Sequence, residues 1–252
     1  MATIIAVHSF RGGTGKSNTT ANLAASLALS GKRVGVIDAD IQSPGIHVLF
    51  GLAADDIDAS LNDFLWHERD IRGIARDVTD RDAIPPPGVI HLIPSSMKPG
   101  EIARVLREGY DAERLTTGIR RLVDELALDA LFIDTHPGLN EETLLSLVIS
   151  DTLVIIMRPD RQDFEGTGIT ARVARELEVP RILIIVNKTP VEYDSVAVAE
   201  RVRDAYGCEV ADVLPHSDDL MRLASEGIFG LRWPDHPLSA RYRAIAEKLL
   251  PA

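Results

Sequence analysis

The sequence predicts a doubly wound α/β fold: one mostly parallel sheet with helices on both faces, in a single domain spanning residues 1–252. Short, nearly all-apolar β-branched runs alternate with longer segments of helical period, as strands covered on both faces and their crossover helices require. A glycine-rich turn joins the first such run to the first helical segment, the place where open parallel sheets put their ligand site. The 252 residues, 45% hydrophobic and 26% charged, fill a core without staples. They exclude disordered, collagen-like and disulfide-scaffold classes.

In chain order, strands are expected at Thr3–His8, Arg33–Asp38, Val89–Pro94, Ala130–Asp134, Thr152–Met157, Arg181–Asn187 and Glu209–Leu214. Helices are expected at 16–30, 101–127, 140–149, 164–177, 194–206, 218–226 and 238–250, with Gly31 capping the first. The stretch 41–82 holds nine acidic and four basic residues and reads as a solvated face of small helices. Ile84-Pro-Pro-Pro-Gly88 is too short and too close to a strand to be a linker, so it reads as a loop.

Charge narrows the function classes. With 27 basic and 38 acidic residues the net charge is −11, which argues against a surface that coats nucleic acid everywhere and leaves room for a local basic patch. Cys208, the one cysteine, makes neither an internal disulfide nor a thiolate cluster, as fits a reducing compartment. Met1 leads directly into Thr3-Ile-Ile-Ala-Val-His8 without a signal segment. The longest apolar stretch, Leu144 to Met157, is interrupted by Asp151 and falls short of the roughly 18 residues that span a bilayer. A soluble, cytoplasmic protein is expected.

The densest chemistry lies at the first strand-to-helix turn, Ser9-Phe10-Arg11-Gly12-Gly13-Thr14-Gly15-Lys16-Ser17. Gly12, Gly13 and Gly15 let the backbone wrap closely, so that successive N–H groups face phosphate oxygens. The helix beginning near Lys16 adds its positive dipole end. Lys16 is placed to reach the β- and γ-phosphates and the Ser17 hydroxyl to ligate Mg2+, with Thr14 and Asn18 completing the nucleotide-binding set. Lys32-Arg-Val-Gly-Val-Ile-Asp-Ala-Asp40 ends a strand in two carboxylates, Asp38 and Asp40, which are expected to do different jobs. Leu131-Phe-Ile-Asp134-Thr-His-Pro-Gly138 is an apolar strand ending in an aspartate that would hold Mg2+ through a water, followed by a loop that Gly138 frees to move. His136 reads as a loop hydrogen-bonder without a chemical role.

The loop departs from the usual phosphate-binding pattern, with Phe10 at its first glycine position and the cation Arg11 next to it. It resembles the deviant Walker A motif of the MinD/ParA ATPases, Lys-Gly-Gly-x-Gly-Lys-Ser/Thr. In that family the front lysine crosses a dimer interface to the partner's nucleotide, so Arg11 is both the point of resemblance and a departure from it. The resemblance implies that Asp40, in switch I, positions the attacking water while Asp38 supports the metal. It makes Ile41 to Gly51 the continuation of switch I, Asp134 the Walker B residue and the segment to Gly138 switch II. Ile184-Ile-Val-Asn187-Lys188 and Val213-Leu-Pro215-His-Ser-Asp218 are similar to the family's adenine-binding loops, with Asn187 on the base edge and Pro215 lining the opposite side. These motifs, in order, cover the chain from residue 1 to about 250.

Nitrogenase iron protein and the iron–sulfur scaffold ATPases are set aside on the single cysteine, and bacterial tyrosine kinases because the tail carries Tyr242 alone. No zinc spacing and no nucleophile elbow occurs. Leu238, Tyr242, Ile245, Ala246 and Leu249 form one stripe that reads as core, which argues against a MinD-type membrane helix in a chain ending at Pro251-Ala252. Residues 220–252 carry Arg222, Arg232, Arg241, Arg243 and Lys248 against three acids, read either as a patch for non-specific DNA or as a mixed solvated surface; docking on a protein assembly is the third option.

The expected function is an ATP- and Mg2+-dependent switch that dimerises on ATP, hydrolyses it slowly under stimulation by a protein partner, and positions a cellular cargo: chromosome or plasmid, division, pilus or other assembly. Lys16, Asp40 and Arg11 carry the catalysis, Arg11 offsetting γ-phosphate charge from across the dimer. The alternatives are an ATP-binding scaffold with little hydrolysis and, on fold alone, a small-molecule ligase.

Overall fold

The computed structural model describes residues 2–66 and 68–250. Among them, eight strands make one sheet: β1 (Thr3–His8), β2 (Arg33–Ala39), β3 (Arg76–Asp77), β4 (Val89–Ile93), β5 (Ala130–Thr135), β6 (Thr152–Met157), β7 (Arg181–Thr189) and β8 (Glu209–Pro215). Their order is β3-β4-β2-β5-β1-β6-β7-β8. Every pairing is parallel except β3 with β4. Central β1 lies between β5 and β6, so the chain winds outward in both directions and opens a crevice at the carboxyl ends of the strands.

The helices are α1 (Lys16–Leu29), α2 (Leu61–Leu65), α3 (Pro99–Glu108), α4 (Ala112–Glu125), α5 (Glu141–Val148), α6 (Arg161–Glu176), α7 (Ser195–Tyr206), α8 (Asp218–Arg222), α9 (Phe229–Arg232) and α10 (Pro237–Glu247). Strand alternation divides the core. Ile5, Val7, Val34, Val36 and Phe132 face Leu23 and Leu27 of α1 and Tyr242 and Ile245 of α10. Ile37, Leu131 and Ile133 meet Leu115, Ile119 and Leu122 of α4. Ala6, Leu153, Ile155 and Ile184 meet α6 and α7 through Ala171, Ala174 and Val202. Each fully buried aliphatic side chain contributes about 1.5–3 kcal/mol.

The structure corrects the sequence reading in several places. The expected helix 101–127 is two helices, because Gly109 turns to φ 66 and Asp111 caps a new start, accepting from the Glu113 and Arg114 amides. The 41–82 stretch does hold the expected small helices, but it is more than a solvated face. Leu61, Phe64, Leu65, Ile71 and Ile74 are buried, and a Cβ on Gly118 of α4 would overlap the Phe64 ring. The same stretch holds β3, two polar residues with no apolar run to announce them. The segment 218–226 is helical only to Arg222. Helix α6 starts earlier than expected, where the Asp160 side chain accepts from the Asp163 amide.

The stripe along α10 and the residues just after it is core: Leu238, Tyr242, Ile245, Ala246 and Leu249 are each at most 3% exposed in the cluster that contains α1. The chain end at Pro251 and Ala252 lies outside the described residues. Of the cations counted toward a DNA patch, Arg222 pairs with Asp219 and Arg241 with Asp212. Arg243 and Lys248 donate to the Pro234 and Ala211 carbonyls. No helix of the described residues is long and apolar enough to cross a membrane.

Candidate nucleotide and metal site

The loop between β1 and α1 rises from the carboxyl end of the central strand, and its glycines take the conformations that the wrap needs. Gly13 and Gly15 sit at φ 78 and 94, a region costly to residues with a Cβ. A Cβ on Gly15 would also lie 2.5 Å from Asn187 Nδ2. Gly12 and Gly13 face solvent, whereas Thr14 and Lys16 are buried. Asn18 follows on the first turn of α1, half-buried, its carbonyl accepting from Asn22 Nδ2.

Asp134 organises the floor. Its Oδ2 accepts from Ser17 Oγ at 2.7 Å and its Oδ1 from Thr20 Oγ1 at 2.9 Å. Lys16 Nζ also stands 2.9 Å from Oδ1, an ion contact without hydrogen-bond alignment, and Nζ has no other hydrogen-bond partner. The site thus keeps a buried ammonium with donor capacity to spare, at the depth of the loop where phosphate would sit. Thr20 was not among the residues singled out from the sequence; its place one helical turn after Lys16 was the available signal.

Asp38 is fully buried on β2, opposite Asp134 on β5 in the strand register. Among the described residues it accepts the Asp40 and Gly45 amides, each at 3.2 Å. Burial first, and then the neighbouring Asp134, push its carboxyl up to about 8. Two neighbouring buried carboxyl groups beside a serine hydroxyl offer the oxygen ligands that a small hard cation takes. Asp38, Asp134 and Ser17 therefore fit Mg2+, which is ordinarily held by one or two carboxylates together with substrate phosphates.

Asp40, past the strand end, points elsewhere. Its Oδ1 accepts from the Ser43 amide at 3.1 Å and meets His136 Nδ1 at 2.6 Å. On a continuing strand, residues two apart share a face; Asp40 lies past the end of β2, and its side chain parts from that of Asp38 for that reason. Beneath the loop, Thr135 Oγ1 donates to the Val7 carbonyl, so the 2.8 Å contact between His8 Nδ1 and Thr135 Oγ1 places the proton on Nδ1. Nε2 is buried without a partner. Burial, with the nearby charges of Lys16 and His136, holds this imidazole down at about 3.

The structure places three predicted residues in unanticipated company. Arg11 turns toward its own α6, 3.4 Å from Asp163 and 3.8 Å from Asp160. Phe10 lies against the same helix, where a Cβ on Gly166 would overlap its ring. Asn187 Nδ2 donates to the Thr14 carbonyl and Lys188 Nζ to the Gly13 carbonyl, each at 2.8 Å. The end of β7 therefore clasps the loop backbone directly. Pro215 pairs with Thr189 beside this clasp. Gly138, at φ 87, donates its amide to the Ser9 carbonyl at 3.1 Å and lays the 135–140 loop against the front of the glycine turn.

A glycine loop between central strand and helix, with its lysine and serine gathered on a buried strand-end aspartate, defines a P-loop nucleotide-binding α/β protein. An AAA domain family model matches residues 2–179, and the chain belongs to the MinD/ParA family of P-loop ATPases. It is 28% identical over 253 residues to an uncharacterized ATP-binding protein of Methanocaldococcus jannaschii, covering 100% of this chain and 89% of that protein. It is 26% identical to an iron-sulfur cluster carrier protein of Pyrococcus furiosus, over 98% of this chain and 85% of that one.

Among solved structures, the septum site-determining protein MinD of Pyrococcus horikoshii, complexed with Mg-ADP, superposes with TM-score 0.79 at 19% identity, covering 98% of this chain and 96% of that one. A ParA family ATPase from Chlorobium tepidum gives 0.78 at 20%, covering 98% and 99%. Cobyrinic acid a,c-diamide synthase of Mycobacterium smegmatis, with bound ADP and magnesium, gives 0.75 at 20%, covering 99% and 94%. These likenesses establish the fold. The likeness to a carrier named for iron–sulfur clusters shows that the single cysteine does not set this chain apart from such proteins in sequence. Cys208 is buried, with Arg175 Nη2 3.2 Å from its sulfur.

Proposed function

We propose that this chain is a single ATPase unit that binds Mg2+·ATP at the glycine loop and hydrolyses it in a cycle of ATP-dependent dimerisation, by which it positions a cargo under control of a protein partner. The observation that carries the reading is the convergence of Lys16, Ser17 and Thr20 on Asp134 beneath an exposed Gly12-Gly13 turn. Backbone amides and Lys16 would hold the β- and γ-phosphates, Ser17, Asp38 and Asp134 the metal, and Asp40 the attacking water. Mg2+ bound there would neutralise phosphate charge and relieve the crowding of the two aspartates. Asn187 and Lys188 keep the loop in shape; Asn187 would also meet the base edge, and Pro215 would line the opposite side of the base.

A scaffold that binds ATP and hydrolyses little is favoured by one specific observation. Arg11 is occupied by Asp160 and Asp163 of its own chain, and it must leave them to act across a dimer. Phosphate release from ATP, with and without Mg2+, separates the readings. Metal-dependent turnover of wild type that Lys16→Ala abolishes supports the ATPase, and stoichiometric ATP binding without turnover supports the scaffold.

A further inference from the structure

We infer that His136 is a positioning residue for hydrolysis: its Nδ1–H holds the Asp40 carboxylate in place and ties the 40–45 loop to the 135–140 loop. The inference rests on the reading of Asp40 as the water-positioning group. The 2.6 Å contact between Nδ1 and Asp40 Oδ1 joins residues 96 positions apart in sequence. Two acceptors so close would repel, so a proton lies between them, and Nδ1 is its donor.

Both ends of the contact are braced. Oδ1 of Asp40 also accepts from the Ser43 amide at 3.1 Å. The His136 carbonyl accepts from Thr143 Oγ1 at 3.2 Å, and Thr143 is fully buried at the start of α5. Its amide in turn donates to Asn140 Oδ1, which caps that helix. A second cross-link runs parallel, Gln42 Nε2 donating to Glu142 Oε2 at 3.4 Å. The imidazole is thus mounted on α5 and reaches across to a carboxylate that the 40–45 loop alone would leave on one amide.

A carboxylate that orients water must stand in one place, and a displacement of about 1 Å at such a group costs up to about 100-fold in rate. The hydrogen bond uses Nδ1, and asparagine places its amide Nδ2 near that position, whereas the glutamine amide lies farther along the side chain. The test is single-turnover hydrolysis of radiolabelled Mg2+·ATP with the ATP dissociation constant measured on the same variants. His136→Ala and His136→Gln are expected to slow hydrolysis about 10- to 100-fold with ATP affinity within about twofold of wild type, and His136→Asn to recover most of the rate.

Wild-type turnover by His136→Ala, an unrescued His136→Asn, or a parallel loss of affinity and rate overturns the inference and leaves the ATPase reading standing. A wild type that binds ATP and never hydrolyses it overturns both. Unchanged thermal melting of His136→Asn separates its result from misfolding.

Discussion

Asp38 and Asp134 stand opposite each other on adjacent parallel strands, and the buried Asp38 carboxyl is pushed up to about 8. Its ordinary value is 3.8, so between these limits the folded chain keeps a proton that the unfolded chain has released. Stability from this group is full below the lower value and declines as pH rises through the window. Between about pH 6.5 and 8 the decline should amount to about 2 kcal/mol. Urea midpoints of wild type should fall over that range, and those of Asp38→Asn should not. Mg2+·ADP should restore the wild-type midpoint at about pH 8, because the cation favours the ionised pair.

His8 acts with the opposite sign. The imidazole titrates near 6.5 when unfolded and is held down at about 3 in the fold. Its contribution is complete above the higher value and is lost as pH falls toward the lower one. Wild type should therefore be nearly flat between about pH 4 and 6.5, where one proton taken up on unfolding offsets one released. Asp38→Asn should uncover the His8 slope, losing about 1.4 kcal/mol per pH unit below about 6.5, and His8→Asn in that background should flatten it again.

Lys16→Ala removes the ammonium and leaves Asp134 with its bonds from Ser17 and Thr20, so the fold should survive. Loss of a charge-assisted contact of about 1.5–3 kcal/mol corresponds to about 10- to 150-fold weaker ATP binding. Titration calorimetry checks it, and wild-type affinity in this variant would remove the lysine from the site.

Gly166→Ala should strain the seat of Phe10 on α6. Overpacking costs about 1–3 kcal/mol, and in a chain of this size each kcal/mol lowers the melting temperature by about 2–4 °C. Phe10→Ala added to Gly166→Ala should recover part of the loss, since the two changes share one contact.

The central strands could be read from sequence because burial on both faces leaves runs such as Ile4-Ile-Ala-Val7 and Leu153-Val-Ile-Ile-Met157 almost without polar residues. The glycine loop and Asp134 were readable for a related reason: strand, turn and helix follow each other within a few residues. What failed was non-local or weakly patterned. Arg76 and Asp77 join the sheet as an antiparallel edge without an apolar run. The amphipathic period from 101 onward continues across Gly109, so the break shows only in the glycine and the Asp111 cap. Arg11 with Asp163, Asn187 with Thr14 and His136 with Asp40 are brought together by the fold from 152, 173 and 96 positions apart. No local spacing could report them.

The central claim, a cycle set by nucleotide state, is tested most directly by the solution mass of Asp40→Ala, measured by light scattering with Mg2+·ADP and then with Mg2+·ATP. The account predicts 27.5 kDa in ADP and about twice that in ATP, with Arg11 released from Asp160 and Asp163. The same mass in both nucleotides, with ATP binding verified, would contradict it.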